Sequence, residues 1–263
     1  MRIALITGAS SGMGAEFARQ IDRTEKGIDE IWLLARRRQR LEETAGQLRH
    51  AARAVPMDLT DRTCFESLEK MFQDEGVRVG LLVNCAGYGK IGNYEKVSRF
   101  DSENMIDLNC RAAVDITLAC LPYMKAGDRI IQICSTAAFQ PLQHVNIYSA
   151  TKAFLYNYTR ALRMELLPRK IAVLAVCPYW VRDTEFIGIA EKGKKESADR
   201  KNMPIRHYTF ATTADRVVRS ALRCSRLGFA VCTPGVVCTL DRIFAKILPR
   251  EAMLYIWEFW RRI

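Results

Sequence analysis

Short apolar runs that alternate with longer stretches of helical periodicity constrain this chain more than any other feature of its sequence. The runs are Arg2 to Thr7, Ile31 to Ala35, Arg53 to Met57, Gly80 to Asn84, Arg129 to Cys134, Ile171 to Cys177 and Phe229 to Thr233. Between them lie helical patterns such as Gly12 to Asp22, Gln39 to His50 and Asp61 to Glu75. A strand covered on both faces reads as a continuous apolar run, and two parallel strands need a crossover helix between them. The alternation therefore predicts an α/β fold, a Rossmann-like doubly wound parallel sheet of about seven strands with helices on both faces. No repeat, low-complexity segment or linker divides the 263 residues, so a single domain over 1–263 is expected.

Two regions break the rhythm. Residues 183–210 carry the polar run Glu191-Lys192-Gly193-Lys194-Lys195-Glu196 and follow the sixth strand, at the carboxyl edge of the sheet where such folds bind ligands. A substrate lid is expected there. The tail, 240–263, is dense in apolar, aromatic and basic residues, among them Ile243, Phe244, Ile247, Tyr255, Trp257, Phe259, Trp260, Arg261 and Arg262. Its first reading is packing on the fold or on another subunit, closing the substrate pocket. An interfacial membrane contact and docking of another partner are the alternatives.

Composition excludes more than it selects. The nine cysteines are scattered, with no CxxC pair and no Cys/His cluster of zinc spacing, so buried thiols in a reducing compartment and no metal are expected. The longest apolar run, Ile171 to Val181, is interrupted by Pro178 and falls short of the roughly 20 residues a bilayer span requires. With no targeting pattern at the start, a cytoplasmic location is the expectation. Lys and Arg number 40 against 29 Asp and Glu, a formal charge of +11 spread along the chain. Nucleic-acid binding would concentrate that charge beside a recognisable motif. A diffuse excess suits small anionic molecules.

Directly after the first run stands Thr7-Gly8-Ala9-Ser10-Ser11-Gly12-Met13-Gly14. Glycines there let the backbone turn tightly and approach a pyrophosphate, and the helix that follows presents free N–H groups. The contacts expected are Gly8, Ser10, Ser11, Gly12, Met13 and Gly14. At the end of the second run a dinucleotide fold specific for NAD would place a carboxylate on the ribose. Here Ala35 is followed by Arg36-Arg37-Arg38, forked donors suited to a 2′-phosphate, which points to NADP(H) held by Arg36 and Arg37. Asp58, with Leu59 beside it, is placed for the adenine.

The chain resembles the short-chain dehydrogenase/reductase family over nearly all its length. The resemblance rests on the TGxxxGxG turn, on Asn84-Cys85-Ala86-Gly87, on Asn109 and Ser135, and on Tyr148-Ser149-Ala150-Thr151-Lys152. Pro178-Tyr179 is similar to the branch containing β-ketoacyl and 17β-hydroxysteroid reductases. The resemblance implies further cofactor contacts at Asn84, Ala86, Gly87, Tyr148, Lys152, Pro178, Val181 and Thr184. Thr184 comes one place later than the family pattern has it, and Cys85 replaces an Asn. The resemblance also implies roles: Tyr148 as proton donor and acceptor, Ser135 holding the substrate oxygen, Lys152 holding the nicotinamide ribose, and Asn109 supporting a proton relay to Lys152. It further implies a homodimer or homotetramer.

The chemistry fits these residue types. Hydride transfer to a carbonyl leaves an alkoxide that must be protonated, and a Lys four positions after Tyr148 lies on the same helix face. One positive charge ~4 Å away at an effective dielectric of about 20 is worth roughly 4 kcal/mol. That predicts a Tyr148 hydroxyl lowered from its reference value of ~10 by about three units, before desolvation. Phe139, Leu142 and His144, with Tyr179 and Trp180 opposite, are expected around a small lipophilic carbonyl or secondary alcohol, such as a hydroxysteroid, bile acid or 3-oxoacyl compound. Lys194, Lys195 and Arg206 suit an anionic tail on it. A non-catalytic NADP(H) sensor or scaffold is the alternative, but it would be expected to have lost Tyr148 or Lys152. No G-x-S-x-G nucleophile elbow or P-loop is present.

Overall fold

The computed structural model describes residues 1–191, 204–205 and 208–262. All seven strands pair in parallel in one sheet, in the order β3-β2-β1-β4-β5-β6-β7. They are β1 Arg2–Thr7, β2 Glu30–Ala35, β3 Ala51–Pro56, β4 Arg78–Asn84, β5 Arg129–Ile133, β6 Ala172–Val176 and β7 Val231–Cys232. Because successive side chains point to opposite faces, each strand feeds two cores. Ala4, Ile6, Ile31, Leu33, Leu81 and Val83 pack with Phe17, Ile21 and Val217 on one side. Those last residues belong to α1 (Gly12–Thr24) and α8 (Ala214–Arg226). Ile3, Leu5, Trp32, Leu34 and Leu82 pack with Leu68, Phe72, Ile116 and Leu162 on the other side. That layer is built by α3 (Cys64–Asp74), α5 (Ala112–Cys120) and α6 (Asn146–Leu166). The continuous apolar runs of the sequence are the consequence of this double burial.

The order reverses between β1 and β4, which opens a crevice at their carboxyl ends. The glycine turn after β1 and the segment after β4 meet there. Thr7 ties them together, its Oγ1 accepting from the Cys85 and Ala86 amides at 3.0 Å each.

Several element boundaries differ from the sequence reading for local reasons. α2 (Arg38–Ala45) stops well before His50, because Gly46 ends it and β3 begins at Ala51. α3 starts at Cys64 rather than Asp61, since the Asp61 carboxylate accepts from both the amide and the hydroxyl of Thr63. Such side-chain turns compete with helix. α4 (Arg99–Ile106) leads into α5 through one π-helical turn, Asp107–Arg111. After β6 the chain forms α7 (Phe186–Ala190), and Val181 and Thr212 make an isolated parallel bridge. Lys194, Lys195 and Arg206, suggested for an anionic tail, lie outside the described residues. The tail forms two helices, α9 (Val236–Ile247) and α10 (Arg250–Trp260), with Met253 and Trp257 of α10 buried. Among the described residues no helix is long and apolar enough to cross a membrane.

Candidate active site

α6 begins two residues before Tyr148 and carries both Tyr148 and Lys152 on its inner face. Lys152 is 5% exposed, and its Nζ donates to the Ile133 carbonyl at 2.8 Å while lying 5.7 Å from the centre of the Tyr148 ring. Ser135 leaves β5 and caps a short 3-10 turn by accepting from the Ala137 amide at 3.1 Å. Its Oγ donates to the Pro178 carbonyl at 3.5 Å, and it lines the same pocket as Tyr148. Asn109 sits in the π-helical turn, an irregularity often found at functional sites. Its Oδ1 accepts from the Tyr88 amide at 3.1 Å, and its Nδ2 donates to the Tyr88 carbonyl at 2.9 Å and to Thr151 Oγ1 at 3.1 Å. The fold thus brings Asn109, Ser135, Tyr148 and Lys152 together. Asn109 spends its side chain holding the β4–α4 segment against α6.

Electrostatics depart from the sequence expectation. Burial pushes the Tyr148 hydroxyl well above the ordinary tyrosine value, and the nearby polar Ser135 side chain offsets only part of the rise. The residue as a whole is half-buried, but its hydroxyl is withdrawn from water. Burial pushes the Lys152 ammonium down as well. Desolvation penalises both charged forms, and the Lys152 ammonium is turned toward the Ile133 carbonyl. Tyr148 is therefore a protonated hydroxyl at neutral pH in this arrangement.

The glycine turn borders a groove of about 470 Å³ that runs across the carboxyl ends of β1, β2 and β4. Gly8, Ser10, Ser11, Gly12, Met13 and Gly14 line it, as do Arg36, Arg37, Asp58, Leu59, Ala86, Gly87 and Thr184. A Cβ on Gly14 would stand 2.2 Å from the Gly8 carbonyl oxygen, and one on Gly8 would meet Ala86 at 2.9 Å. Gly12 has φ +52 and packs on Thr184. Arg37 reaches over the turn, its Nη2 donating to Ser10 Oγ at 3.1 Å, to Ser11 Oγ at 2.8 Å and to Glu185 Oε2 at 2.8 Å. The Arg37 guanidinium holds the Glu185 carboxyl below the usual carboxylate range. Ser11 and Arg37 thus already hold an anion, the Glu185 carboxylate, with Ser10 beside them, which fits a phosphate of the cofactor. Asp58 accepts from the Thr60 amide at 2.9 Å and Thr60 Oγ1 at 2.8 Å, which fixes its carboxylate at the groove edge.

Asn84 does not line the groove. Its Nδ2 donates to the Ala113 carbonyl and to Thr117 Oγ1, bracing α5 from inside the core.

A second, smaller pocket adjoins the groove at Ser135, Tyr148 and Lys152. Pro178, Tyr179, Trp180 and Val181 form one wall, and Leu142 and Val145 form another. Phe139 and His144 lie elsewhere. Phe139 packs edge-on against Tyr156, with ring centres 5.5 Å apart. His144 occupies the turn before α6 at φ +66, where its carbonyl accepts from the Gly92 amide at 2.7 Å. Segment 139–145 therefore contributes Leu142 and Val145 to the pocket.

Phe186 and Trp257, which the sequence reading did not assign to the pocket, also line it. Phe186 stands 5.3 Å from the Tyr148 ring centre to centre, and Trp257 arrives from α10. Gly89 lets the backbone abut Tyr148, since a Cβ there would lie 2.9 Å from Tyr148 Cδ2. A glycine two residues past Asn84-Cys85-Ala86-Gly87 is a visible signal for such an approach. Nothing local in the sequence links positions 186 and 257 to position 148.

Comparison with known proteins agrees with this geometry. The family described as short chain dehydrogenase matches residues 2–194. The NADP-dependent 3-hydroxy acid dehydrogenase YdfG of Escherichia coli is 32% identical over 201 residues, covering 75% of this chain and 80% of that protein. A short-chain dehydrogenase from Sphingobium yanoikuyae in complex with NADPH superposes with a TM-score of 0.76 at 29% identity, covering 96% of this chain and 94% of that one. The bulky-bulky ketone specific alcohol dehydrogenase from Comamonas testosteroni gives 0.74 at 25% identity, with coverages of 94% and 93%. A parallel doubly wound sheet with Ser135, Tyr148 and Lys152 beside a glycine-rich groove defines an oxidoreductase of the dinucleotide-binding class. The chain belongs to the short-chain dehydrogenase/reductase family.

Proposed function

We propose that this protein interconverts a ketone and a secondary alcohol on a lipophilic substrate, of the 3-oxoacyl rather than the steroid type. It is an NADP-dependent dehydrogenase/reductase acting on CH–OH groups. The observation that carries the substrate reading is the placement of Ser135 and Tyr148 together in a largely apolar pocket that adjoins the groove. When bound, NADP(H) supplies or accepts the hydride. Gly8, Gly12 and Gly14 would admit its pyrophosphate, while Arg36, Arg37 and Ser10 would hold its 2′-phosphate. In reduction Tyr148 gives its hydroxyl proton to the substrate oxygen, and Ser135 donates a hydrogen bond to the same atom. Lys152 restores the Tyr148 proton and is itself reprotonated from solvent, with Asn109 positioning the α6 segment that carries it. In oxidation the proton moves the other way. A slender acyl chain suits the space between Leu142, Val145 and Trp180 better than a rigid fused-ring system. The name of the 3-hydroxy acid dehydrogenase relative supports the same substrate class.

Two outcomes test this reading. Arg37→Ala is expected to lower the preference for NADPH over NADH by about 10- to 100-fold. Hydrogen bonds to charged groups contribute about 1.5–3 kcal/mol, and about 1.4 kcal/mol is tenfold. Fluorescence titration with each cofactor measures the ratio, and an unchanged ratio would move the 2′-phosphate away from Arg37. The second outcome is a pH dependence. Because burial raises Tyr148, the acid form that reduction needs persists through neutral pH. Reductive kcat/KM is expected to stay level there and to fall only above the ordinary tyrosine value of about 10, while oxidation gains with rising pH. A reductive limb already declining near neutral pH would assign proton transfer to a different group.

A further inference from the structure

α10 is held down by the segment that builds the substrate pocket. The Trp257 indole Nε1–H donates to the Gln143 carbonyl at 3.1 Å. On the next residue, the Glu258 carboxylate accepts from the Gln143 side-chain amide. Arg261 pairs with Glu258 and donates to the Pro204 carbonyl at 3.1 Å. Gln143 itself lies between Leu142 and Val145, which face the pocket. These bonds carry the Trp257 ring to a 7% exposed position among Ile91, Leu142, Val145 and Ile205.

With its only polar atom spent on Gln143, the indole offers the pocket an apolar surface. The space left beside Ser135 and Tyr148 is about 90 Å³. Small-molecule sites of drug-sized ligands measure roughly 300–1,000 Å³. The other walls come from β5 and the segment after it, from α6, from the stretch between β6 and α7, and from Met13, Cys85 and Gly87 on the groove side. Trp257 is the wall contributed from the far end of the chain.

We propose that Trp257 is the residue that sets substrate size, and that α10 seats it as a fixed roof over the substituent farthest from the reacting carbonyl. The inference deepens the ketone reading above and rests on it. Compact ketones and slender acyl chains pass beneath the indole. Substrates with a bulky group on that side require its removal. Glu258 is a positioning residue, acting through the tether to Gln143 and not through contact with substrate.

The test compares Trp257→Ala, Trp257→Phe and Glu258→Ala with the unaltered protein over a series of ketones graded in bulk on one side. Two readouts are taken on the NADPH-loaded protein: the bulky-to-compact ratio of kcat/KM, and the same ratio of Kd for matching amides, which accept no hydride. Trp257→Ala is expected to shift both ratios toward the bulky members by at least about tenfold, the scale set by a few methylenes in an apolar pocket. Trp257→Phe should shift them less. Glu258→Ala should produce a smaller shift of the same sign, with compact-ketone kcat retained. NADPH affinity and Tm report whether each variant is folded. Unchanged ratios in folded Trp257→Ala and Trp257→Phe overturn the proposal. Because amide binding is independent of turnover, that outcome decides the matter whether or not the ketones are reduced. Failure of the unaltered protein to reduce any ketone counts against the function reading alone.

Discussion

Tyr148→Phe is expected to lower kcat/KM at least about 10³-fold, within the roughly 10²–10⁴ that a general acid contributes. NADPH affinity should stay within about twofold, because the variant removes a group needed for the chemical step and not for ground-state binding. The removed hydroxyl belongs to a residue that shares its pocket with Ser135 and Lys152. The ring that remains keeps its packing against Phe186 and against the backbone at Gly89. A fall confined to turnover separates a proton donor from a structural tyrosine, whose loss would move cofactor affinity and Tm together. Steady-state rates with NADPH, alongside fluorescence titration of the cofactor, measure the two quantities. Undiminished activity would remove the proton-transfer role of Tyr148.

Gly14→Ala should be the most damaging single-methyl change in the glycine turn. A Cβ there meets the Gly8 carbonyl oxygen at 2.2 Å, the Gly8 carbonyl carbon at 2.6 Å and Ala9 Cα at 3.0 Å. All three are main-chain atoms, so no side chain can swing away to relieve the clash. The turn must open, which moves Gly8 off the start of α1 and spoils the approach of the pyrophosphate. Overpacking costs about 1–3 kcal/mol and sometimes more, enough to lower Tm by several degrees, at roughly 2–4 °C per kcal/mol for a chain of about this size. NADPH affinity is expected to fall at least about 100-fold, counting the lost phosphate contacts at about 1.5–3 kcal/mol each. Gly188→Ala is the control, since a Cβ there meets nothing within 4 Å. Equal affinity in the two variants would show that the turn tolerates a side chain at position 14.

Enclosure reverses the direction in which Tyr148 is shifted. The Lys152 charge, taken alone, lowers the tyrosine through Coulomb attraction, with desolvation still to be subtracted. Once both side chains are enclosed, that subtraction is the larger quantity. The Lys152 ammonium meanwhile satisfies itself on the Ile133 carbonyl at 2.8 Å. Spacing on a helix tells which side chains share a face. It does not tell how much water the rest of the fold removes from them.

The sheet and its cofactor groove were legible in the sequence because their rules are local. Continuous apolar runs mark the strands, glycines mark the turn that a phosphate must approach, and a four-residue step puts Tyr148 and Lys152 on one face of α6. The arginines after β2 were legible for the same reason, although the partner of Arg37 among the protein's own side chains, Glu185, was not. Asn84 shows the limit: its place after β4 suggests a cofactor contact, and only packing against α5 reveals that its amide is a brace. Phe139 and His144 show it again, because a turn preceding α6 decides which of seven consecutive residues face inward. The sequence by itself determined the fold class and the groove, and it pointed to Ser135, Tyr148 and Lys152, which the fold brings into one pocket. Tertiary structure alone decided the shape of the substrate pocket. Its walls come from segments as far apart as Met13 and Trp257, and placing Trp257 in the same pocket as Ser135 and Tyr148 depends on a path of more than one hundred residues that no local rule encodes.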